Sequence, residues 1–300
     1  MSDLAQQSFN HRPSPLASAA MRGVRWPQPG VATLGLLAAL ALGYLALPLV
    51  NLLWVEPWAD VPAALSDPLA IGAFETSLAG ATVSTALIAV GAIPLAYALA
   101  RWRFPLRSVV TLLVYTPLVF PAVVSGIVQL LVYGPYGVIG GFFAAHGYEL
   151  DTTFAGVVLA QTFVAAPFAI VAARAAFEAV PTATEDVAAT LGASGWRIFW
   201  TVSLPQASGG VVAGLILTWL RALGEFGATA VLAYHPYTLP VYIYVQLTGL
   251  GTPAALPLAL LALGASVVAI SLAQLVTARS RIPGAGGAGR LGGRLSRTPA

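Results

Sequence analysis

Six long apolar runs constrain what this chain can fold into. They cover residues 31–54, 76–100, 108–133, 154–173, 209–234 and 254–277. A transmembrane helix needs about 20 apolar residues to cross the hydrocarbon core of a bilayer, and each run meets that length. Only 8% of the 300 residues are charged, whereas a soluble domain carries about 25%. The sequence therefore predicts an all-α integral membrane protein with six transmembrane helices.

The arginines fall on one side of this six-helix arrangement. Lysine is absent, and outside the fifth run the arginines are Arg12, Arg22, Arg25, Arg101, Arg103, Arg107, Arg174, Arg197, Arg279, Arg281, Arg290, Arg294 and Arg297. The connections on the other side, between the first and second runs and between the third and fourth, carry the acids Glu56, Asp60, Asp67, Glu149 and Asp151. Because basic residues favour the cytoplasmic side, we expect a multi-pass protein of the plasma or inner cell membrane with both termini cytoplasmic. Five or seven helices would scatter the arginines over both sides.

The charge and hydropathy pattern divides the chain into three parts. Residues 1–30 are expected to be a disordered cytoplasmic tail, 31–278 the six-helix transmembrane domain and 279–300 a disordered tail rich in Arg and Gly. A secretory signal peptide is disfavoured because the first apolar run exceeds the usual length of about 7–15 residues. Met21 is an alternative start, and attraction to lipid headgroups is an alternative role for the last tail.

The cytoplasmic loop at 175–207 contains a helix-forming segment. Pro181 suits the start of a helix, with Thr182 or Thr184 as its N-cap. Glu185 and Asp186 then place negative charge in the first turn, where it complements the helix dipole. A short helix is therefore predicted to begin near Pro181.

The remainder of this segment has an ordered spacing. Ala188 and Ala189 keep the helix narrow, and Gly192 is predicted to end it. The apolar residues that follow, able to pack at an interface, are Trp196, Ile198, Phe199 and Trp200. Leu204-Pro205 is predicted to turn the chain back toward the membrane. An interfacial amphipathic helix would explain the aromatic residues but not the spacing.

This spacing resembles the cytoplasmic "EAA" loop of ABC importer permeases, which docks on the ATPase subunit. The family pattern has an acid, two small residues, a Gly six positions after the acid and a closing Leu-Pro, and it falls here on Asp186, Val187, Ala188, Gly192, Leu204 and Pro205. Asp replaces the usual Glu, and Val187 replaces the first Ala. The resemblance implies the type I ABC importer (MetI-like) permease fold and cytoplasmic ABC ATPase partners. It assigns the ATPase-coupling role to Glu185, Asp186, Ala188, Ala189, Gly192, Leu204 and Pro205.

The third apolar run carries two prolines close together. Pro117 and Pro121 each remove a backbone hydrogen bond, and at membrane depth the freed carbonyl must be covered by protein or a water-filled cavity. Ordinary packing irregularity would explain a single proline. Residues 116–126 also resemble the third-helix signature of molybdate and sulfate permeases, which implies a broken helix beside the translocation path.

One ionisable pair lies within the fifth run. Arg221 and Glu225 are four residues apart, so a continuous helix would place them on one face. They either pair with each other to hold the geometry, or Arg221 helps an anion through. Residues 220–229 closely resemble the "RALGEFGAT" signature of molybdate, tungstate and sulfate permeases.

Two further segments narrow the resemblance to one branch of the family. Residues 159–168 resemble the family's fourth-helix sequence, and residues 233–244 are similar to the external-loop sequence of archaeal-type tungstate/molybdate permeases. The resemblance implies a permease subunit for a tetrahedral oxyanion, molybdate or tungstate, with the sulfate/thiosulfate branch as the alternative. The translocation path candidates are Thr116, Pro117, Pro121, Ser125, Thr218, Arg221, Glu225 and Thr229.

A membrane-embedded enzyme and a channel are the competing classes. No cysteine is present, the three histidines form no ligand-spaced pair, and there is no Walker-type phosphate loop. We therefore expect no catalytic or metal site and no cofactor bound by this chain, with ATP hydrolysed by a separate subunit. A channel would have no use for a coupling loop. The implied partners are an extracytoplasmic oxyanion-binding protein, a second permease copy forming a homodimer and membrane lipid, but no nucleic acid.

Overall fold

The computed structural model describes residues 28–55 and 58–280, and within these ranges every regular element is helical. Helix α1 spans Gln28–Val55 and lies in a compact unit of its own. Residues 28–30 belong to α1 and residues 279–280 to the last helix. The rest of the two predicted tails lies outside the described residues.

The second unit contains the other helices. They are α2 (Val61–Ser66), α3 (Pro68–Arg101), α4 (Arg107–Val119), α5 (Ala122–Tyr133), α6 (Gly140–Ala145), α7 (Phe154–Glu178), α8 (Thr182–Thr190), α9 (Gly195–Ile198), α10 (Leu204–Leu223), α11 (Gly227–Leu232), α12 (Leu239–Leu250) and α13 (Thr252–Ser280). A π-helical turn, Phe199–Ser203, joins α9 to α10.

Five helices of the described chain are long and apolar enough to cross a membrane. They are α1, α3, α7, the combined helix Gly195–Leu223 and α13. Helices α4 and α5 together form a sixth apolar segment, bent by 119° between Val119 and Ala122. With the bent pair counted as one span, the prediction of six is confirmed. The bend falls at Pro121, the second of the two prolines that predicted a broken helix.

The fifth apolar run is not one helix, so the predicted continuous span at 209–234 is wrong. The helix begins earlier, at Gly195, and ends at Leu223. A new short helix, α11, starts at Gly227. The Glu225 side chain explains the break, since its Oε1 accepts a hydrogen bond from the backbone N–H of Ala228 at 2.8 Å. A carboxylate at that position satisfies a free N–H of the new helix and so stabilises the interruption.

Other helix ends also differ from the predicted bounds. Helix α3 begins at Pro68 rather than at residue 76, because Asp67 caps it by accepting from the Leu69 N–H at 3.0 Å. Helix α7 continues to Glu178 instead of ending at 173. The predicted loop at 175–207 thus starts in the last turn of α7 and ends inside α10.

Helix α7 lies at the centre of the second unit, between α3 and α10. The residues at these contacts are mostly small, including Ala92, Ala96, Ala165 and Ala169. At Gly214 of α10, an added Cβ would lie 2.6 Å from the Ala172 Cβ of α7. Helices approach this closely only where their side chains are small. In lipid the hydrophobic effect does not drive helices together, so close packing of small residues stabilises their association.

Candidate functional site

The predicted coupling segment contains a short helix with a sharp end. Helix α8 starts after Pro181, which occupies the N-cap position, and no side chain caps it. The proposed cap at Thr182 or Thr184 is therefore wrong; the Thr184 hydroxyl instead donates to the Pro181 carbonyl at 2.7 Å. The helix ends at Thr190, and Gly192 lies just beyond its C-cap with a φ of +85°, the left-handed conformation that glycine adopts without strain, so this glycine terminates the helix as predicted.

One face of this segment is exposed and apolar. Val187 is 59% exposed, Leu191 83% and Trp196 70%. Asp186, Ala189 and Gly192 are also exposed, and a Cβ added at Gly192 would meet no atom within 4 Å. Such a projecting face is what a partner with a complementary groove would bind.

Glu185 does not lie on this exposed face. Its carboxylate accepts two hydrogen bonds from Arg101 Nε, at 3.0 and 2.9 Å, and one from the Ser203 hydroxyl at 2.7 Å. Sequence reasoning assigned Glu185 to the helix dipole and missed Arg101 and Ser203. Arg101 ends an apolar run beside a connection that the sequence predicts to be cytoplasmic, and that position was the available signal for a tertiary ion pair.

Leu204-Pro205 does not turn the chain, so that prediction is wrong. Both residues lie at the start of α10, and the backbone runs continuously from Gly195 to Leu223. Pro205 has no N–H, and a proline inside an α-helix clashes with the carbonyl four residues earlier. The wider π-helical turn over Phe199–Ser203 comes directly before it and gives the helix room for the ring.

Aromatic residues hold this region against the transmembrane helices. Phe199 is 5% exposed, and its ring centroid lies 5.0 Å from that of Tyr97 on α3. Tyr97 also meets Phe177 of α7 at 5.3 Å. The predicted apolar continuation is therefore divided: Phe199 packs inward, whereas Trp196 and Trp200 remain exposed.

The first four path candidates lie at the bend of the third span. Thr116 and Pro117 are in the last turn of α4, and the Thr116 hydroxyl donates to the Leu112 carbonyl at 2.9 Å. Pro121 is the N-cap of α5. Ser125 is fully buried in α5, and its hydroxyl has no protein partner.

The other four candidates lie in and after α10. Thr218 is buried, and its hydroxyl donates to the Gly214 carbonyl at 2.9 Å. Arg221 Nη1 lies 2.6 Å from Glu225 Oε2, although Glu225 is beyond the end of the helix and not on its face. Glu225 is 1% exposed, and Thr229 is buried with no partner for its hydroxyl.

The structure brings α5 and α11 together. A Cβ on Gly227 would lie 2.7 Å from the Ala122 Cβ, and one on Gly126 would lie 2.9 Å from the Ala228 carbonyl oxygen. The helix that carries Ser125 thus packs directly on the helix that carries Thr229. Thr116, Pro117 and Thr218 are not part of this contact.

Two buried amides beside the candidates were missed. Gln129 lies one turn after Ser125, is 3% exposed and has no protein partner for either amide atom. Gln161 of α7 is fully buried; its Oε1 accepts from the Ser84 hydroxyl at 3.1 Å, and its Nε2 has no partner. An amide inside an apolar run is a signal that the sequence does offer.

Helix α12 packs on the first part of α3. The Tyr242 hydroxyl donates to Asp67 Oδ2 at 2.6 Å, and the Leu239 N–H donates to the Ser77 hydroxyl at 2.8 Å. Burial and, to a smaller extent, the hydrogen bond to Asp67 together raise the pKa of Tyr242 to about 12. Tyr242 therefore remains a hydrogen-bond donor throughout the neutral range.

Several apolar spans, one of them sharply bent, and a short exposed helix between two spans are typical of a membrane component of a transport system. The chain belongs to the family of binding-protein-dependent transport system inner membrane components, whose model matches residues 92–282. The sequence resemblance is thereby confirmed. Membership also makes the chain a transport component rather than an enzyme.

Individual relatives cover most of the chain. A probable molybdenum ABC transporter permease protein of Haloferax volcanii is 41% identical over 79% of this chain and 87% of its own length. The molybdate/tungstate transport system permease protein WtpB of Thermococcus kodakarensis is 37% identical over 82% of this chain and 95% of its own. The sulfate transport system permease protein CysT of Escherichia coli is 29% identical over 78% and 84%.

Solved structures match the fold. A bacterial ABC transporter that imports the acidic polysaccharide alginate has a TM-score of 0.65 at 19% identity, over 84% of this chain and 95% of that one. The MetNI methionine ABC transporter has a TM-score of 0.56 at 22% identity, over 71% and 96%. The predicted type I ABC importer (MetI-like) fold is therefore confirmed.

Proposed function

We propose that the chain is the permease subunit of an ATP-driven importer for a tetrahedral oxyanion, molybdate or tungstate. The observation that carries the transport role is helix α8, whose apolar face projects from a membrane domain and ends sharply at Gly192. The relatives named for molybdate or tungstate, at 41% and 37% identity, support the choice of anion. The sulfate relative, at 29% identity, keeps sulfate or thiosulfate as the second candidate.

The proposal assigns this chain no nucleotide or cofactor site of its own. Cytoplasmic ATPase subunits bind the exposed face of α8, and an extracytoplasmic binding protein delivers the anion. Two permease copies enclose the path, and both termini lie in the cytoplasm together with the arginine-rich connections. ATP-driven closure of the ATPases moves the α8 helices and exposes the path alternately to each side of the membrane.

The interrupted spans supply the polar groups for the path. Ser125, Gln129 and Thr229 are buried polar side chains near the two helix interruptions, and none of the three is charged. Neutral hydrogen-bonding groups suit a doubly charged anion that must be released as readily as it is bound.

Deletion of the gene tests the substrate. Activity of molybdenum or tungsten enzymes in the host should fall and should recover with excess anion in the medium, whereas growth on sulfate as the sole sulfur source should not change. A sulfur auxotrophy with intact molybdoenzyme activity would transfer the assignment to the sulfate/thiosulfate branch. Normal phenotypes in both tests would contradict oxyanion import.

A further inference from the structure

A largely buried ion-pair cluster joins three elements around helix α8. It consists of Arg101, Glu185, Ser203 and the Val180 carbonyl, and we call it the Arg101 cluster. Besides its two contacts with Glu185, Arg101 donates from Nη2 to the Val180 oxygen at 2.8 Å. Arg101 ends α3, Glu185 lies in the first turn of α8, and Ser203 ends the π-helical turn before α10.

The burial of this cluster distinguishes it from an ordinary surface ion pair. The side chains of Arg101 and Glu185 are only 11% and 12% exposed. Arg174 and Glu178 provide a contrast. They form a single contact at 2.8 Å, their side chains are 25% and 46% exposed, and both lie on one helix. Exposed pairs within one helix contribute little, whereas a buried and multiply hydrogen-bonded pair between elements fixes their relative positions.

Helix α8 therefore has two different faces. Asp186, Val187 and Leu191 point outward and are available to an ATPase. Glu185 points inward and is fixed to α3. A displacement of α8 by a partner would act on α3 through this carboxylate.

The far end of α3 is also fastened. The helix has 34 residues, which corresponds to about 51 Å at 1.5 Å per residue. At its start, Asp67 accepts a hydrogen bond from the Tyr242 hydroxyl, and further along the same helix Ser77 accepts one from the Leu239 N–H. One continuous helix thus connects helix α8 with helix α12.

We propose that Glu185 is the positioning residue through which movement of α8 is transmitted to α3, and along α3 to Tyr242 of helix α12. This proposal rests on the proposed function as an ATP-driven importer subunit. Glu185 acts through Arg101 and Ser203 and does not touch the anion. Asp186 and Gly192, by contrast, serve the binding of the ATPase.

The first test uses the full complex of permease, ATPase and binding protein in proteoliposomes. Glu185→Gln preserves the side-chain volume but removes the charge that faces Arg101, and Glu178→Gln is the matched control on the exposed pair. We expect Glu185→Gln to retain complex assembly and ATP hydrolysis while molybdate uptake per ATP falls about tenfold, the size of a typical coupling between two sites. The control should retain the wild-type ratio.

A second measurement separates transmission from a folding defect. The double variant Arg101→Gln/Glu185→Gln leaves no buried unpaired charge, so its assembly should equal that of the wild type. If its uptake per ATP also returned to the wild-type value, the proposal would be overturned. Loss of assembly and uptake in equal proportion in Glu185→Gln would likewise overturn it, because that result assigns Glu185 to docking.

A third measurement does not depend on the transported anion. The chain has no cysteine, so Glu75→Cys places a single label on the exposed surface of α3 near its outer end. Binding of a non-hydrolysable ATP analogue should change the accessibility of this label to an aqueous quencher, and Glu185→Gln should abolish the change. An unchanged response in Glu185→Gln, or no response in the otherwise unmodified chain, would refute transmission along α3. Absence of molybdate uptake by the wild type would refute only the proposed substrate.

Discussion

Replacement of Arg221 by glutamine should destabilise the protein strongly. Glu225 is 1% exposed, and its two polar contacts are Arg221 Nη1 at 2.6 Å and the Ala228 N–H at 2.8 Å. Without Arg221, this buried carboxylate retains only the backbone donor. Removal of one partner from a buried ion pair costs about 3–5 kcal/mol, because the remaining charge is left uncompensated.

The matched variants separate charge pairing from loss of packing. Glu225→Gln retains an oxygen for the Ala228 N–H, and Arg221→Gln/Glu225→Gln leaves no unpaired charge, so the double variant should recover most of the lost stability. Arg174→Gln removes one partner of an exposed pair and should cost less than about 1 kcal/mol.

Thermal unfolding in detergent and the yield of folded protein measure these differences. If Arg221→Gln unfolds at the wild-type temperature, the argument from an uncompensated buried carboxylate is refuted. Uptake by the double variant then distinguishes the two roles considered for Arg221. Normal transport identifies the pair as structural, whereas a stable but inactive double variant assigns Arg221 to the anion.

Three further changes are expected to have separable effects. Gly192→Val forces a β-branched residue to a φ of +85°, which costs about 1–3 kcal/mol, so co-purification of the protein with the ATPase should fall. Gly195→Val, which also adds its side chain in open space, should co-purify normally. Equal binding of the ATPase by both variants would contradict this. Gly214→Ala places a methyl group 2.6 Å from the next helix and should lower the unfolding temperature, unlike Gly209→Ala, which meets nothing within 4 Å. Tyr242→Phe should cost about 1 kcal/mol below pH 10. Because the raised pKa of about 12 favours the protonated phenol in the folded state, the wild-type advantage should persist below pH 10 and disappear between pH 10 and 12.

The number of spans was predictable because hydropathy along the chain is a one-dimensional signal. A segment in lipid must satisfy its own backbone hydrogen bonds, so length and apolarity nearly determine its structure. The bend at Pro121 was also predictable locally, because a proline within an apolar run removes a backbone hydrogen bond of the helix. The end of α8 at Gly192 was also local, since a left-handed residue after the last turn is a property of a few neighbouring residues.

Contacts between distant residues had no comparable signal. Arg101 and Glu185 are 84 positions apart, so their pairing depends on how α3 and α7 pack. The break after Leu223 was missed because Arg221 and Glu225 fit the spacing of a continuous helix equally well. The course of the chain at Leu204-Pro205 depended on a π-helical turn, which accommodates a proline that would otherwise interrupt the helix.

The two interrupted spans explain each other's structure. An open backbone at membrane depth is tolerated only where protein or water covers it. Here α5 and α11 cover one another, at Gly126 against Ala228 and at Gly227 against Ala122. On the proposed function, this pairing has a mechanical consequence. A continuous helix must break backbone hydrogen bonds to bend, whereas a span that is already interrupted changes its angle at residues that carry no such ladder. The interruptions beside Pro121 and Glu225 are therefore where the domain can change shape at least cost, and the buried polar side chains Ser125, Gln129 and Thr229 lie next to them.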